Sequence, residues 1–376
     1  MPNLFSQSEA ADLVSRELPQ PTVKASFDDL RGAVLFGAGR FSRALLPEMR
    51  RRGMEPAWFV DNNPTLWGKK LDGVEIRPVA TLDDVGDRLV LVMSTHLLPM
   101  AQACITAGVK RWSWFTDIQE VFGDISIAIK AEKILAEPEI HRLSSLLAGS
   151  EESLITLKQA LACRVTGDPK DLPPCRPGQY FVDEWVPDRY YARFVDCGAY
   201  NGDTLRDWIN CKGNIFPPDQ LQYHAFEPDP DNYAVLKRTV EDLPPHFTSH
   251  IVLHSAAVGD VSGTVKMIQG GAGTEIYHSS EAGMETQIVR LDDVLANEEI
   301  YAIKMDLEGF EPFALRGART LLEKQRPVLM ISVYHRPEHL WTLPLWINDL
   351  GLGYRLFLRH HDTTSSETVC YAVPPF

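Results

Sequence analysis

Tyr191-Ala-Arg-Phe-Val-Asp-Cys-Gly-Ala-Tyr-Asn-Gly-Asp-Thr204 is the stretch of sequence that decides the fold. Its apolar first half predicts a buried strand that Asp196 closes, and Gly198 and Gly202 predict a turn. From Thr204 onward the apolar residues have helical spacing. A strand, a glycine turn and a helix form the opening unit of a doubly wound sheet, whose ligand lies at the carboxyl end of the strand.

The next predicted strand supplies an acid at the same end of the sheet. Tyr223-His-Ala-Phe-Glu-Pro-Asp229 ends in Glu227, and residues with helical spacing follow. An acid at the tip of the second strand is placed to accept hydrogen bonds from both ribose hydroxyls of an adenosine ligand. The glycine turn lacks the G-x-G-x-x-G spacing and a following Lys-Ser/Thr pair, so it does not favour a phosphate cradle.

Four spaced segments resemble one known family. These are VDCGAYNGDT (195–204), HAFEPDP (224–230), HSAAVGD (254–260) and IKMDLEGFE (303–311), in that order. Together they resemble the FkbM family of S-adenosylmethionine-dependent O-methyltransferases, over roughly the last half of the chain. The resemblance implies a class I methyltransferase fold, which is a mostly parallel seven-stranded sheet with an antiparallel C-terminal hairpin.

The resemblance and the positions at strand ends assign candidate contacts to S-adenosylmethionine. We expect Glu227 to hold the ribose, and Ala256 and Ala257 to leave room for the flat adenine ring. A surface carboxylate that only caps the next helix is the alternative for Glu227. The residues expected to face the methionine end are Asp196, Gly198, Asn201, Gly202 and Asp203.

Candidate catalytic residues follow the predicted fourth and fifth strands. Alternate residues of an extended strand share a face, so Asp306 and Glu308 are predicted to point into the same crevice. Two carboxylates there could hold a divalent cation or accept a hydroxyl proton. His335 follows the fifth strand and is a candidate general base. Simpler alternatives stay open: Asp306 contacts only the cofactor, Glu308 caps a helix, and His335 is structural.

The first part of the chain predicts a second α/β domain. Gly32 to Arg43 predicts a strand, a G-x-G turn at Gly37 and Gly39, and a helix, while Asp61 closes the next strand. The acid follows Gly39 by roughly 20 residues, as in Rossmann units that bind a nucleotide. Ser42 replaces the third glycine or alanine. Two interpretations of this turn are equally open: it binds a nucleotide or nucleotide-sugar, or it is retained only for packing.

Domain boundaries follow from helical periodicity and from breakers. Apolar residues recur with helical spacing from 124 to 165, and a Pro- and Gly-rich stretch ends at Gly178. We predict an N-terminal Rossmann-like domain (1–123), a helical connector (124–175) and a methyltransferase domain (176–376). The polar, Gly-rich segment from Gly259 to Met284 is predicted to carry a hairpin over the site.

Composition limits the partners. The net charge of −14 argues against a polyanion such as DNA or RNA. The six cysteines show no C-x-x-C pair and fit reduced thiols in a cytoplasm. Neither a signal peptide nor a membrane-spanning run is apparent. We therefore expect a cytoplasmic enzyme that could form a homo-oligomer, with a small-molecule or glycan substrate and without a nucleic-acid partner.

The family resemblance implies methylation of a hydroxyl on a sugar, a sugar-containing metabolite, a glycolipid or a polysaccharide. Asp306-Leu-Glu-Gly309 differs from the Asn/Asp-Pro-Pro-aromatic sequence of enzymes that methylate the amino groups of bases. One alternative is an NAD-dependent oxidoreductase using the first domain, although no Tyr-x-x-x-Lys-like pair is evident there. Another is a degenerate methyltransferase that senses a ligand, which the intact acidic and glycine positions disfavour.

Overall fold

The structure is a computed structural model that describes residues 4–94, 97–118, 121, 129–213, 215–268, 275–277 and 284–375. The chain divides into two compact units. The first consists of Phe5–Glu137 and Lys158–Pro173, and the second of Pro138–Leu157 and Pro174–Phe376 with Met1–Leu4. The predicted domain boundaries at 123 and 175 stay predictions.

The first unit contains a six-stranded sheet. Its strands are β1 (Val34–Phe36), β2 (Trp58–Asp61), β3 (Lys70–Leu71), β4 (Val74–Pro78), β5 (Val90–Val92) and β6 (Trp112–Trp114), in the order β3-β4-β2-β1-β5-β6. All neighbours are parallel except β3 and β4. The helices assigned to this unit are α1 (Gln7–Ser15), α2 (Arg40–Arg51), α3 (Leu97–Thr106) and α4 (Ala131–Ala136), with 3₁₀ turns at Phe27–Leu30, Pro64–Leu66, Val79–Asp84, Phe115–Asp117 and Pro169–Asp171.

The core strands of this sheet are apolar on both faces. Leu35, between Val34 and Phe36, packs into one buried cluster, while its two neighbours pack into another. Successive side chains of a strand point to opposite faces, so a parallel strand covered on both sides reads as a continuous apolar run. The short runs in the sequence therefore mark buried parallel strands.

The second unit contains two sheets. The seven-stranded sheet has the order β16-β17-β15-β14-β7-β8-β9, and the four-stranded sheet has the order β10-β13-β11-β12. Their strands are β7 (Arg193–Cys197), β8 (Gln222–Phe226), β9 (Ile251–His254), β10 (Ala257–Val258), β11 (Gly263–Ile268), β12 (Glu275–Tyr277), β13 (Met284–Val289), β14 (Ala302–Met305), β15 (Val328–Ser332), β16 (Arg355–His360) and β17 (Thr368–Val373).

Helices complete the second unit. They are α5 (Pro138–Leu146), α6 (Glu151–Thr166, whose residues from 158 belong to the first unit), α7 (Asp203–Trp208, continued by a π-turn at Ile209–Gly213), α8 (Pro230–Glu241), α9 (Pro245–Thr248), α10 (Leu291–Val294), α11 (Glu311–Gly317), α12 (Arg319–Gln325) and α13 (His339–Asp349), with 3₁₀ turns at Asp188–Ala192 and Pro218–Gln220. Within the described ranges, no helix is both long and apolar enough to cross a bilayer.

The seven-stranded sheet confirms the predicted α/β methyltransferase fold. Strands β9, β8, β7, β14 and β15 run parallel, whereas β17 pairs antiparallel with both β15 and β16. The strand order changes direction between β7 and β14, because β7 carries β8 on its other side. In open α/β sheets the ligand crevice lies at the carboxyl ends of such strands. The ends of β7, β8 and β14 therefore position the candidate site.

The predicted third strand, Ile251 to Val258, is wrong in its length. Strand β9 ends at His254, and Ala257 and Val258 form β10, which pairs with β13 in the other sheet. Ala257 packs there against Ile288 and Phe310, so burial draws the chain away from the first sheet. Strands β11 and β12 pair antiparallel, as the predicted hairpin requires. Residues 269–274 and 278–283 of that segment lie outside the described residues.

Candidate functional site

The turn after β7 brings two strand ends together. Gly198 has a φ of +86°, and a Cβ at this position would lie 2.0 Å from the carbonyl oxygen of Asp306. The Asp306 N–H donates to the carbonyl oxygen of Cys197 at 3.0 Å. Glycine is required here both for its positive φ and for this close approach. The main chain at Asp306 therefore lies directly against the glycine turn.

A buried ion pair stabilises this turn. The Lys304 Nζ lies 2.9 Å from Oδ1 of Asp196, and both side chains are almost completely buried. Lys304 also donates to the carbonyl oxygen of Gly198 at 2.6 Å, and Tyr223 donates to Asp196 Oδ2 at 2.7 Å. Asp196 thus has a structural task in anchoring the turn. Its predicted contact with a cofactor stays a prediction.

Glu227 ends β8 beside the same turn. Its Oε2 accepts the N–H of Tyr200 at 2.8 Å, and its Oε1 accepts the N–H of Asp229 at 2.9 Å. The residue is 5% exposed, and burial raises the pKa of its carboxyl to about 7. Asp229, and not Glu227, caps the next helix by accepting the N–H groups of Asp231 and Asn232. A buried acid with a shifted pKa at a strand end is typical of a binding site.

The other predicted cofactor residues lie around this turn, with one exception. Asn201 accepts from Arg206 and Thr239, Gly202 has a φ of +82°, and Asp203 begins α7. Ala257 belongs instead to the buried core of the four-stranded sheet, and Ala256 immediately precedes it. A cavity of about 370 Å³ lies close by, lined by Pro228, Pro230, Ser255, Thr264, Glu285, Thr286 and Gln287.

A histidine and three carboxylates meet beyond the ends of β14 and β15. The Nδ1 of His335 lies 2.7 Å from Oε1 of Glu311, and its Nε2 lies 3.4 Å from Asp306 Oδ1 and 3.7 Å from Glu308 Oε2. His339 Nδ1 lies 3.4 Å from the second oxygen of Glu311. Asp306, Glu311 and His335 offer ligand atoms within 4.8 Å of one another, which is a spacing that a metal ion could use.

The charge state of His335 differs from that of an ordinary histidine. Burial lowers the pKa of the imidazole, but Glu311, Glu308 and Asp306 outweigh it and raise this pKa to about 10. These carboxylates therefore favour the protonated form of the ring at neutral pH. A protonated imidazole holds a proton and cannot accept one, which argues against a general-base role in that state.

A second polar network also reaches Asp306. Tyr180 donates to Oδ2 of Asp306 at 3.0 Å, and the Tyr334 hydroxyl lies 3.2 Å from both Asp306 Oδ1 and Glu367 Oε1. Gln179 donates to the other oxygen of Glu367 at 2.6 Å. Burial, and next the charge of Asp306, raise the pKa of Glu367. Asp306 and Glu367 are therefore linked through one hydroxyl.

Backbone strain is concentrated at this site. Four of the six non-glycine residues with positive φ in the described ranges lie here, namely Tyr180, Tyr200, Glu308 and Glu367. Such conformations cost energy and cluster at functional sites. Strand β14 ends at Met305 and Glu308 has a φ of +52°, so the predicted extended geometry is wrong. Asp306 and Glu308 nevertheless both approach His335.

Sequence patterns do not reveal several of these residues. Tyr180, Tyr334 and Glu367 are far apart in the chain, and no local pattern marks Tyr180 or Glu367. Glu311 ends the quoted IKMDLEGFE segment, and His339 follows His335 by four residues. The sequence offers two signals for these residues: the carboxylates of Glu308 and Glu311 are three positions apart, and His335 and His339 are four positions apart.

The three residues predicted for a nucleotide in the first unit also come together. Gly37 and Gly39 form the turn before α2, and Asp61 accepts the N–H groups of Ala38 and Asn63, both at 2.8 Å. Both oxygens of Asp61 therefore already serve the local backbone. A Cβ on Gly37 would lie 2.9 Å from the carbonyl oxygen of Met93, so packing also requires this glycine. Nucleotide binding here stays a prediction.

Comparison with known proteins gives a family and a fold. Residues 196–362 match the family described as "Methyltransferase FkbM domain". The crystal structure of a methyltransferase FkbM from Methylobacillus flagellatus is 24% identical and has a TM-score of 0.66, with 96% of this chain and 97% of that chain covered. This match shows a shared fold over nearly the whole chain.

Two further solved structures are much more distant. Aeropyrum pernix fibrillarin, solved with bound S-adenosyl-L-methionine, is 15% identical over 50% of this chain and 69% of its own, with a TM-score of 0.31. An rRNA methylase from Streptococcus thermophilus is 12% identical over 50% of this chain and 92% of its own, with a TM-score of 0.32. These scores are too low to carry an argument. No curated protein matches the chain.

Proposed function

Because residues 196–362 are a methyltransferase FkbM domain, we propose that the protein transfers a methyl group from S-adenosylmethionine to a hydroxyl oxygen. The acceptor that we propose is a sugar, a sugar-containing metabolite or a polysaccharide. The observation that carries the proposal is Glu227, a buried carboxylate held at the end of β8 against the glycine turn.

The residues at the strand ends fit the cofactor. Each oxygen of Glu227 accepts one backbone N–H, and the Asn232 side chain also donates to this carboxylate, so an acceptor position remains for a ribose hydroxyl. The cavity lined by Pro228 and Ser255 begins one residue after Glu227 and has both polar and apolar walls, which suits the adenosine end. Asp203 and the turn at Gly198 would face the methionine end. S-adenosylmethionine supplies a methyl group bound to a positively charged sulfur.

The proton of the acceptor hydroxyl needs a nearby base. Asp306 is the group that we assign, because it lies at the end of β14, against the glycine turn that would hold the cofactor. Tyr334 connects it to Glu367, whose raised pKa makes that carboxylate a better final proton acceptor. The Nε2 of His335 lies 3.4 Å from Asp306 Oδ1, the oxygen that Tyr334 also contacts, and helps to orient this carboxylate. Carboxylates, an amide and hydroxyls around Asp306 would suit a polyhydroxylated acceptor.

Other predictions concern features that the site does not address. A nucleotide or nucleotide-sugar site in the first unit, a cytoplasmic location and a homo-oligomeric state stay predictions. The Asp61 carboxylate accepts the N–H groups of Ala38 and Asn63, one on each oxygen, much as Glu227 accepts two backbone N–H groups, so an NAD-dependent reaction at this turn likewise stays a prediction.

Mass spectrometry with deuteriomethyl-labelled S-adenosylmethionine tests the proposed function. The full chain is incubated with a panel of sugars, glycosides and polysaccharide fragments, and with amino-sugar analogues as competitors. We expect label on a hydroxyl oxygen, and a rate lowered about 10²–10⁴-fold by Asp306→Asn, because a positioned base contributes that much. Asp242→Asn, at an exposed position, is the matched control. Label only on amino groups, or an unchanged rate for Asp306→Asn, would overturn the assignment.

A further inference from the structure

The Nε2 atom of His335 lies buried between two carboxylates without a hydrogen bond. The His335 side chain is 6% exposed. Its Nε2 is 3.4 Å from Asp306 Oδ1 and 3.7 Å from Glu308 Oε2, and it has no hydrogen-bond partner among the residues that the structure describes. Buried polar atoms are normally satisfied, so an orphaned nitrogen that faces two acidic groups needs an explanation.

Glu311 determines which nitrogen faces the carboxylates. Its Oε1 lies 2.7 Å from Nδ1 of His335 and also accepts the N–H of Leu307 at 2.8 Å. Glu311 is completely buried at the start of α11, so its position is firmly held. A carboxylate that accepts a hydrogen bond from Nδ1 turns Nε2 toward Asp306 and Glu308, so an ion that replaces the Nε2 proton would meet the lone pair of that nitrogen. This arrangement is typical behind histidines that bind a metal.

The distances around Nε2 suit a shared ion. Nitrogen and oxygen ligands lie about 2.0–2.2 Å from Mg²⁺, Mn²⁺ or Zn²⁺, so two ligands in neighbouring positions are about 3.0–3.5 Å apart. The two carboxylate oxygens lie at or just beyond this separation from Nε2. Among the described residues, the ligand atoms that all lie within 4.8 Å of one another belong to Asp306, Glu311 and His335, so the partly exposed Glu308 side chain would have to turn inward to complete the site. Glu308 is partly exposed, so the point between the three groups is open on one side for other ligands.

We propose that His335, Asp306 and Glu308 bind a divalent cation of the Mg²⁺ or Mn²⁺ class, and that Glu311 positions His335 for this purpose. Two carboxylates and one imidazole give a mainly oxygen-based site, which this class of ion prefers. The use of the ion rests on the proposed function, because it would lie beside the acceptor and make the hydroxyl more acidic. Its binding does not depend on that function.

Titration of the full chain with Mn²⁺ alone tests the inference, with free Mn²⁺ measured by electron paramagnetic resonance. We expect saturable binding of one ion per chain, which strengthens as the pH rises because the ion replaces a proton on the ligands. Glu308→Gln should weaken binding at least tenfold, and Glu311→Gln about 10–100-fold, as for other residues that orient metal ligands. Glu323→Gln, on the exposed surface of α12, is the matched control.

Two comparisons separate this inference from the proposed function and from misfolding. Glu308 is partly exposed in a strained conformation, so Glu308→Gln should leave the fold and the affinity for S-adenosylhomocysteine unchanged. Glu227→Ala should lose the affinity for S-adenosylhomocysteine and still bind Mn²⁺ as the unmodified protein does. Absence of saturable Mn²⁺ binding, or equal binding by Glu308→Gln and the unmodified protein, would overturn the cation site and leave a proton on His335 as the bridging charge.

Discussion

Replacement of Gly198 by alanine should damage both the fold and the site. A Cβ at this position would lie 2.0 Å from the carbonyl oxygen of Asp306, and the residue has a φ of +86°. The backbone conformation alone costs about 1–2 kcal/mol for a non-glycine residue. Moving Asp306 away also breaks its hydrogen bond to Cys197, which is worth about 1 kcal/mol. These two contributions give a loss of about 2–3 kcal/mol, and the separation of β7 from β14 adds to it.

Two other glycines of the second unit separate these contributions. Gly351 has a φ of +69° with nothing within 4 Å of its would-be Cβ, so Gly351→Ala measures the backbone term alone. Gly317 has no positive φ, but its Cβ would lie 1.8 Å from the carbonyl oxygen of Gly259, so Gly317→Ala measures the contact. Urea unfolding measures the free energy of unfolding of each variant. Hydrogen exchange in peptides from β7 and β14 measures the local stability of the two strands.

The expected order of destabilisation is Gly198→Ala above Gly351→Ala, which should cost about 1–2 kcal/mol. Gly198→Ala should also lower the methyl-transfer rate, because the Asp306 carboxylate moves with its main chain. Equal destabilisation by Gly198→Ala and Gly351→Ala would refute the close approach of the two strand ends, and with it the placement of Asp306 against the turn.

Two further predictions concern charges at the site. The carboxyl of Glu227 has a pKa of about 7 and must be ionised to accept hydrogen bonds from the ribose. The affinity for S-adenosylhomocysteine should therefore fall about tenfold per pH unit below 7. Calorimetry between pH 5 and 8 checks this, and an affinity of the unmodified protein that does not change with pH would contradict it. Lys304→Met should cost about 3–5 kcal/mol, because it leaves the Asp196 carboxylate buried without a counter-charge, with the Tyr223 hydroxyl as its remaining donor. Urea unfolding measures this, and a change under about 1 kcal/mol would show that Asp196 is neutral or solvated.

Sequence patterns are sufficient to predict the fold and the part of the site that is formed by the ends of β7, β8 and β14. Buried parallel strands leave continuous apolar runs, and the glycines after β7 and the acid after β8 stand at positions that the sheet itself dictates. The amino-acid sequence alone therefore places Gly198, Glu227 and Asp306 together. The antiparallel pairing of β16 with β17 follows from the short turn between them.

The other side of the site could not be predicted because it is assembled by tertiary packing. Tyr180 and Glu367 reach Asp306 from segments that are distant in sequence, in backbone conformations that local propensity disfavours. The change of sheet after His254 depends on the burial of Ala257 against Ile288, which no local period shows. The protonated state of His335 likewise depends on carboxylates that converge only in the fold.

Calorimetric titration of S-adenosylhomocysteine into the full chain tests the central claim most directly. We predict saturable, micromolar binding that Glu227→Ala weakens about 10–100-fold, since hydrogen bonds to a charged group contribute about 1.5–3 kcal/mol. Glu241→Ala, an exposed acid at the end of α8, should bind like the unmodified protein. Absence of binding, with NAD bound instead and lost in Asp61→Ala, would contradict the account and move the site to the turn at Gly37 and Gly39.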